Sequence, residues 1–398
     1  LYDLETIDVN EHEANLLKLM SVSDDFEISS EVLKSRKQYY SRILIFPYVK
    51  IDNTYKKIKS CKYKYIDKTS ILKNGKKLPK LNSVLSQGEW YLLSVQKDGV
   101  YSLTYDDLID LGVNSSQINV NSIRIYGNGG GMLPRLNSDV RDEDLVENAI
   151  QVVDNNNNGF FDNNDLILFY AEDVNEWKRD QDVIGKYKHF KHLYDDKNYY
   201  FLTFNMNTSS KRIGTYIPNL SGNTYISNVF NDHVFHELDL SNFIQSGEQW
   251  FGEIFDAEIE QIIPFSFPNI DQNSEIHLRS SVAARASLPS SFSFFHNNIE
   301  IMTSNLNSIT FSSETDYASV STNSSVFQSN SDVLDINVRY NRQSSSHKGW
   351  LDYIELSGIR QLIMNGNQMN VRKTINSLED HRCSLVVKNI SNSHRVWN

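Results

Sequence analysis

The chain has 398 residues, 39% of them hydrophobic and 22% charged, with 39 Lys and Arg against 50 Asp and Glu for a formal charge of −11. The length exceeds what one hydrophobic core fills and predicts roughly two to four domains. The apolar content excludes wholesale disorder, and the acidic balance excludes counterion-release binding to a phosphate backbone, so nucleic acid is not an expected partner.

No run of about 18 apolar residues occurs, which argues against a bilayer-spanning helix. The start at Leu1 shows neither an initiator Met nor the basic-then-apolar lead of a signal peptide, as expected of a mature form or a fragment. Seventeen Gly and seven Pro, with Ser and Asn between apolar alternations, predict a mainly β protein: several β-rich domains with a few short helices.

A first, strand-rich domain is expected over 1–86. Ser41–Lys50 and Tyr55–Ile66 alternate with period two, and Lys73-Asn74-Gly75-Lys76 carries a hairpin turn signal. The lysines between Lys50 and Lys80 read as a solvated sheet face with a protected edge rather than an anionic-ligand patch.

A second domain, 87–232, opens at Gln87-Gly88-Glu89-Trp90. Trp90–Val95 reads as a strand, Lys97-Asp98-Gly99 as a tight turn, and Val100–Thr104 as a return strand. Tyr105–Leu111 reads as a short helix closed by Gly112. Ser122–Tyr126 is a strand that runs into Gly127-Asn128-Gly129-Gly130-Gly131. That run lacks the Lys-Ser/Thr end of a phosphate loop and meets Pro134 soon after, so it reads as a structural turn or bulge. Further strands are expected at Glu147–Val153, Asp165–Tyr170 and Tyr199–Asn205.

A mixed connecting segment follows over 233–272. Beyond it, 273–398, strands at His277–Arg285, Ser291–Phe295, Ser308–Phe311, Asp335–Tyr340, Trp350–Leu356 and Cys383–Ile390 predict an antiparallel β-sandwich of Ig-like or jelly-roll type.

The most specific local pattern is the Asn-rich stretch Asp154–Asp165. It sets oxygen-bearing side chains at positions one (Asp154), three (Asn156), five (Asn158), nine (Asp162) and twelve (Asp165) of a calcium loop, with Gly159 at the sharp sixth position. Position seven needs only a backbone carbonyl, which Phe160 supplies while its ring is free to enter the core. Position twelve is Asp rather than Glu, as in dockerin-type loops, and only three of the five side chains are charged. Calcium is therefore the expected cofactor, at an affinity of roughly 10⁻⁴ to 10⁻³ M. An Asn-rich turn without metal is the competing reading.

Other clusters carry less chemistry. His233 and His236-Glu237 follow neither metalloprotease order, and His189 and His192 read as polar strand-end residues. Cys61 and Cys383 are too few for a disulfide scaffold or a thiolate zinc site and read as two buried free thiols, with pairing across the chain as the alternative. His381 and Cys383 stand two apart, beyond direct hydrogen-bond reach on a strand. Asp142-Glu143-Asp144 reads as a solvated acidic loop. No catalytic residue is identified.

Several motifs occur in order: Gly88-Glu89-Trp90-Tyr91, Lys97-Asp98-Gly99-Val100-Tyr101, Ile123–Gly130, Met132-Leu133-Pro134, Asp144–Ile150, Asp162 with Asp165–Ala171, Ser246–Glu253 and Trp350–Ile354. Together, over roughly Gly88 to Asn398, they resemble the non-catalytic, amino-terminal region of the type IX secretion system sortases, gingipain-related cysteine peptidases of Bacteroidetes.

The resemblance implies a protein of the extracellular, outer-membrane surface of a Gram-negative bacterium. Members of that family cleave the carboxy-terminal sorting domain from type IX cargo and join the new carboxyl end to anionic lipopolysaccharide, using Cys and His in a caspase-like domain behind the β-rich region. The implied partners are cargo proteins with such sorting domains, other secretion-system components and anionic lipopolysaccharide. This sequence stops at Val396-Trp397-Asn398, about where a peptidase domain is expected, and neither cysteine sits in the family's nucleophile context. The expected role is that of an accessory region. A stand-alone surface module that holds a glycan or protein through aromatics such as Trp250 and Trp350 is the alternative, although core packing suits those tryptophans better.

Overall fold

The computed structural model describes residues 2–18, 22, 28–35, 38–51, 54–62, 82–113, 117–136, 138–179, 187–204, 209–216, 224–245, 247–312, 316–371, 382–391 and 394–397. The protein is mainly β, with two short α-helices among the described residues, and it divides into two compact units, Leu1–Pro79 and Lys80–Asn398. No helix among the described residues is long and apolar enough to cross a membrane.

The first unit holds β1 (Tyr2–Asp8), α1 (Glu11–Leu17), β2 (Ile28–Ser35), β3 (Gln38–Ile45), β4 (Tyr48–Ile51) and β5 (Thr54–Lys62). β1 and β4 flank β5 in an antiparallel sheet, and β2 pairs with β3. The strand expected over 41–50 is cut in two between β3 and β4 at Phe46 and Pro47, because proline offers no N–H to a ladder. α1 starts on a capping box in which the Asn10 side chain accepts from the Glu13 amide at 2.8 Å. The lysines of β5 meet carboxylates: Lys56 on Asp8 at 3.1 Å, Lys57 on Glu13 at 3.0 Å and Lys59 on Glu5 at 3.5 Å. Such exposed pairs, screened by water, add little to stability. The turn expected at 73–76, and Tyr63–Ile66, lie outside the described residues.

The second unit begins with β6 (Trp90–Val95), β7 (Gly99–Leu103) and α2 (Tyr105–Asp110), followed by β8 (Arg124–Tyr126), β9 (Glu147–Asn148), β10 (Ile150–Val153) and β11 (Leu166–Ala171). β12 (Glu176–Arg179), β13 (Tyr187–Phe190) and β14 (Asn198–Thr203) complete this part. β6 and β7 do not pair as a hairpin. The turn at Lys97–Asp98 moves the chain from a sheet of order β6-β14-β8-β9 to one of order β10-β11-β7, where each strand finds a partner that matches it over five or six residues. Leu93, Leu108, Ile125, Phe161, Ile167, Phe169 and Leu202 fill the core of this part. α2 carries a Thr104–Asp107 capping box and ends at Gly112, as its sequence predicts. A Cβ on Gly130 would lie 1.9 Å from the Asp173 carbonyl oxygen, so the glycine run permits a close backbone approach, and the Gly130 amide points at the Glu172 carboxylate, 3.1 Å away.

The remainder comprises β15 (Thr224–Ser227), β16 (Val229–Glu237), β17 (Ile254–Phe255), β18 (Glu260–Ser266), β19 (Ile276–Arg285), β20 (Ser290–His296), β21 (Ile299–Leu306), β22 (Ser319–Phe327), β23 (Val333–Asn341), β24 (Lys348–Gln361) and β25 (Arg382–Leu385). Two antiparallel sheets face each other. One runs β16-β24-β19-β22 with β17 added to β24, and the other runs β18-β23-β20-β21. Their inner faces share one core that includes Phe255, Phe265, Leu278, Phe292, Phe294, Ile336, Val338, Tyr340, Leu351 and Ile354. The sandwich takes in β16, β17 and β18, from a stretch largely read as a connecting segment, because their apolar residues alternate into that core. Residues 308–311 form no strand, and β25 ends at Leu385, where it pairs in parallel with β15.

One irregularity redirects side chains across the larger sheet. Between β19 and β24, Ser281 is opposite Tyr353 and Val282 is opposite Leu351, so Asp352 is the extra residue of a β-bulge. A bulge re-aims side chains and raises local twist. Trp350, Tyr353 and Glu355 are therefore free to serve the outer face of the sheet while Leu351, Ile354 and Leu356 stay in the core.

Candidate functional site

The Asn-rich loop joins β10 to β11. Ile118 and Val120 clamp it from the side, through a hydrogen bond from the Phe161 amide to the Ile118 carbonyl and one from the Val120 amide to the Gly159 carbonyl. Gly159 takes φ 82° with nothing near the position of an added Cβ, so glycine is needed there for conformation rather than space. The ring buried beneath the loop is that of Phe161, whereas Phe160 is 41% exposed. The expected inward ring is thus one residue further on, because the Asn119–Phe160 bridge sets the strand parity.

The polar side chains converge in two groups. Asn156 donates to Asp162 at 3.0 Å and Asn158 donates to it at 2.8 Å, which brings positions three, five and nine to one point. Asp154 accepts from the amides of Asn158 and Gly159, at 3.3 and 2.9 Å. Asp165 is 1% exposed and spends one oxygen on the Asn155 amide, 2.9 Å, and the other on the Asp162 amide, 3.0 Å. It staples the first residues of the loop to the last. Among the described residues no three His, Cys, Asp or Glu side chains gather into a metal-holding group. The loop's convergent set is instead one carboxylate with two amides, an oxygen-rich donor set of the kind hard cations prefer.

A second concentration of charge was not legible in the sequence. His189 on β13 is buried between two strands of the sandwich, with Nδ1 2.6 Å from Glu355 Oε1 and Nε2 against Glu237. Its backbone amide also donates to Glu355 at 2.8 Å, and Arg279 reaches the other Glu355 oxygen at 3.0 Å. Phe235 stacks on the imidazole, with centroids 4.2 Å apart, and Tyr353 meets it edge-on. Burial alone would lower the imidazole's pKa, but the hydrogen bonds and charges of Glu237 and Glu355 outweigh it and raise the value. Two carboxylates are then balanced by two cations, Arg279 and protonated His189. Asp352, on the bulge, is the surplus acid. Burial first, and then the charges of Glu237 and Asp239, push its carboxyl up to about 6, against the opposing pull of Ser281 and His189.

The remaining candidates are structural. His233 lies against Trp177, 3.8 Å between centroids, and His236 points to the opposite face of β16, where its Nε2 is 2.6 Å from Glu253. Asp144 accepts from the Ser83 hydroxyl and the Val84 amide, both at 2.8 Å, and so ties down a turn. Trp350 is 4% exposed, packed on Phe243 and Phe251. Cys61 is a free thiol, half-buried rather than buried as expected. His381 and the Cys383 side chain lie outside the described residues.

The fold defines a class: a β-rich region with an Asn-rich loop of calcium-type spacing, joined to a two-sheet sandwich through a charge cluster centred on buried His189 and Glu355. Among solved structures, the dimeric latent PorU of Porphyromonas gingivalis is similar to this chain, with a TM-score of 0.59 and 22% identity over 75% of the chain. The match takes in 26% of that PorU, so the chain spans about a quarter of its length. At this identity the likeness concerns the fold. A carbohydrate-binding module, CBM36, in complex with calcium and xylotriose (TM-score 0.22, 12% identity, 31% of this chain and 98% of that one) and the Bacillus thuringiensis delta-endotoxin Cry8Ea1 (0.22, 12%, 40% and 27%) align too loosely to inform function. No family model and no curated protein matches the chain.

The charge cluster predicts a particular pH dependence. Asp352 binds its proton more tightly folded than unfolded, so folding is penalised increasingly from about pH 4 to about pH 6, by on the order of 2 kcal/mol. His189, raised on folding, contributes stability that is complete below its unfolded value of about 6.5 and is lost as pH rises through the folded value. Asp352→Asn is expected to abolish the decline between pH 4 and 6 and to keep the decline above it. Urea titrations across that range check this, and identical profiles for parent and variant would refute it.

Proposed function

We propose that this chain is the accessory β-rich region of a surface sortase or cysteine peptidase that processes the carboxy-terminal sorting domain of type IX secretion cargo, at the outer-membrane surface of a Gram-negative bacterium. The observation that carries this reading is the fold likeness to PorU over three quarters of the chain. The ordered motifs from Gly88 to Ile354 support it. In this role the β sheets dock cargo and orient the peptidase, with secretion-system components and anionic lipopolysaccharide as neighbours.

The Asn-rich loop is proposed as a calcium site held by Asp154, Asn156, Asn158, the Phe160 carbonyl, Asp162 and Asp165. An amide presents nitrogen or oxygen to the same point after a half-turn, so the amides now on Asp162 can offer oxygen to a cation, in exchange for the bonds their oxygens accept from the Asn158 and Phe160 amides. Calcium there fixes the β10–β11 connection; it supplies no chemistry to a reaction.

Two experiments test these readings. Biolayer interferometry with a purified cargo sorting domain is expected to show saturable binding, with the cargo recovered uncut. Absence of binding, or thiol-sensitive cleavage of the cargo by this chain, contradicts the accessory role.

Calcium at about 10 mM, tenfold above a dissociation constant of about 1 mM, is expected to stabilise the protein by about 1.4 kcal/mol. Asp154→Ala and Asp162→Ala are expected to abolish that rise in melting temperature. Asp165→Ala is expected to lower the melting temperature even in chelator, by the equivalent of about 1–3 kcal/mol, because two part-buried amides lose their acceptor. A melting temperature indifferent to calcium reduces the loop to an ordinary turn.

A further inference from the structure

At one end of the five-stranded sheet, on its outer face, a cavity of about 420 Å³ opens beside the aromatic cluster built on Trp350. Its size falls in the range of about 300–1,000 Å³ that small-ligand sites occupy. Arg285, the last residue of β19, stands in its wall. The guanidinium carbon lies 4.2 Å from the ring centroid of Tyr317 and 4.7 Å from that of Phe311, and Nη1 donates to the Tyr317 carbonyl at 2.7 Å. Among the described residues Arg285 forms no ion pair with a carboxylate. Its charge is met by ring faces and one carbonyl, and its rotamer is fixed in advance of any ligand, which removes part of the entropic cost of binding.

The surroundings add positive charge. Lys348, which also lines the cavity, shares a single carboxylate, Asp256, with Arg342, at 2.8 and 3.6 Å, in a chain whose formal charge is −11. Long-range attraction is therefore not what would bring an anion here. The recognition must be short-range and specific.

The floor is apolar. Trp350 packs on Phe243 at 4.5 Å between centroids, and Phe243 meets Tyr317 at 5.1 Å. Phe311 and Tyr317 are exposed. Ser241 and Ser346 also line the cavity. A planar guanidinium suits a carboxylate, to which it can offer two parallel N–H donors. Aromatic faces suit the C–H face of a pyranose ring, and hydroxyls suit its hydroxyls.

We propose that this cavity binds an acidic sugar, a hexuronate residue whose ring lies against the Phe311 and Tyr317 aromatics and whose carboxylate meets Arg285. The proposal goes beyond the sorting role and stands without it, since it rests only on the cavity and its side chains.

Isothermal titration with an oligogalacturonide, beside a neutral galacto-oligosaccharide of the same length, tests it. The uronide is expected to bind and the neutral sugar to bind at least about tenfold more weakly. Arg285→Met keeps the apolar stem between the rings and removes the charge, and is expected to weaken uronide binding at least about tenfold with the melting temperature unchanged. Phe311→Ala, at an exposed site, is expected to weaken both the uronide and any residual neutral binding. The proposal is overturned by absence of uronide binding, by equal binding of the neutral sugar, or by undiminished affinity in Arg285→Met. Binding of a sugar phosphate or a peptide carboxylate with the uronide left unbound overturns it as well.

Discussion

The second unit depends on a balance of four charges, of which His189 and Glu355 are buried and Glu237 and Arg279 are half-buried. Glu237 and Glu355 come from adjacent strands of the sandwich, Arg279 from a third, and His189 from the separate two-stranded sheet β12–β13. A buried carboxylate without a cation is costly, because the low-dielectric interior replaces water that would otherwise solvate it. Arg279 answers one of the two. Among the described residues a protonated imidazole is the cation that meets the Glu237 carboxylate, and His189 reaches both glutamates with the hairpin seated on the sheet. Charge balance and hairpin position are therefore one constraint.

That constraint orders the rest. The hairpin β12–β13 brings Trp177, Tyr187 and His189 over β16, where Trp177 and Tyr187 cover His233. The strand β11 that leaves the Asn-rich loop runs directly toward this hairpin, so the loop and the sandwich belong to one packed unit. At the far end of the same outer face, Phe243 and Phe251 cover Trp350 and leave the Arg285 cavity beside them. The inner face is ordinary sandwich core. The outer face is where polar and aromatic groups were assembled, and both concentrations of unusual chemistry in the sandwich lie on it.

Much of the architecture was legible because it is local. Alternation identified β19, β20, β23 and β24, the Thr104–Asp107 box with Gly112 identified α2, and the oxygen spacing with Gly159 identified the loop. α1 was missed in a domain read as strand-rich, although its signal is present in Asn10 and Glu13, whose capping box announces a helix start. β22 was not, since Ser321, Thr322, Asn323, Ser324 and Ser325 read as turn residues, yet an edge strand with an exposed face tolerates them. Residues 308–311 read as a strand from composition, but Phe311 serves Arg285 rather than a sheet. The charge cluster was hidden for a deeper reason. Glu237 and Glu355 lie 48 and 166 positions from His189 in sequence, and the Asp352 bulge breaks the parity by which a strand's buried residues are read.

The charge balance is open to direct measurement. Labelling the histidine rings and following His189 by NMR through a pH titration reports its protonation state in the folded protein. The account predicts that His189 stays protonated above the ordinary value of about 6.5, and that Glu237→Gln moves its titration downward. A ring that titrates at or below that value, unchanged by Glu237→Gln, would contradict it.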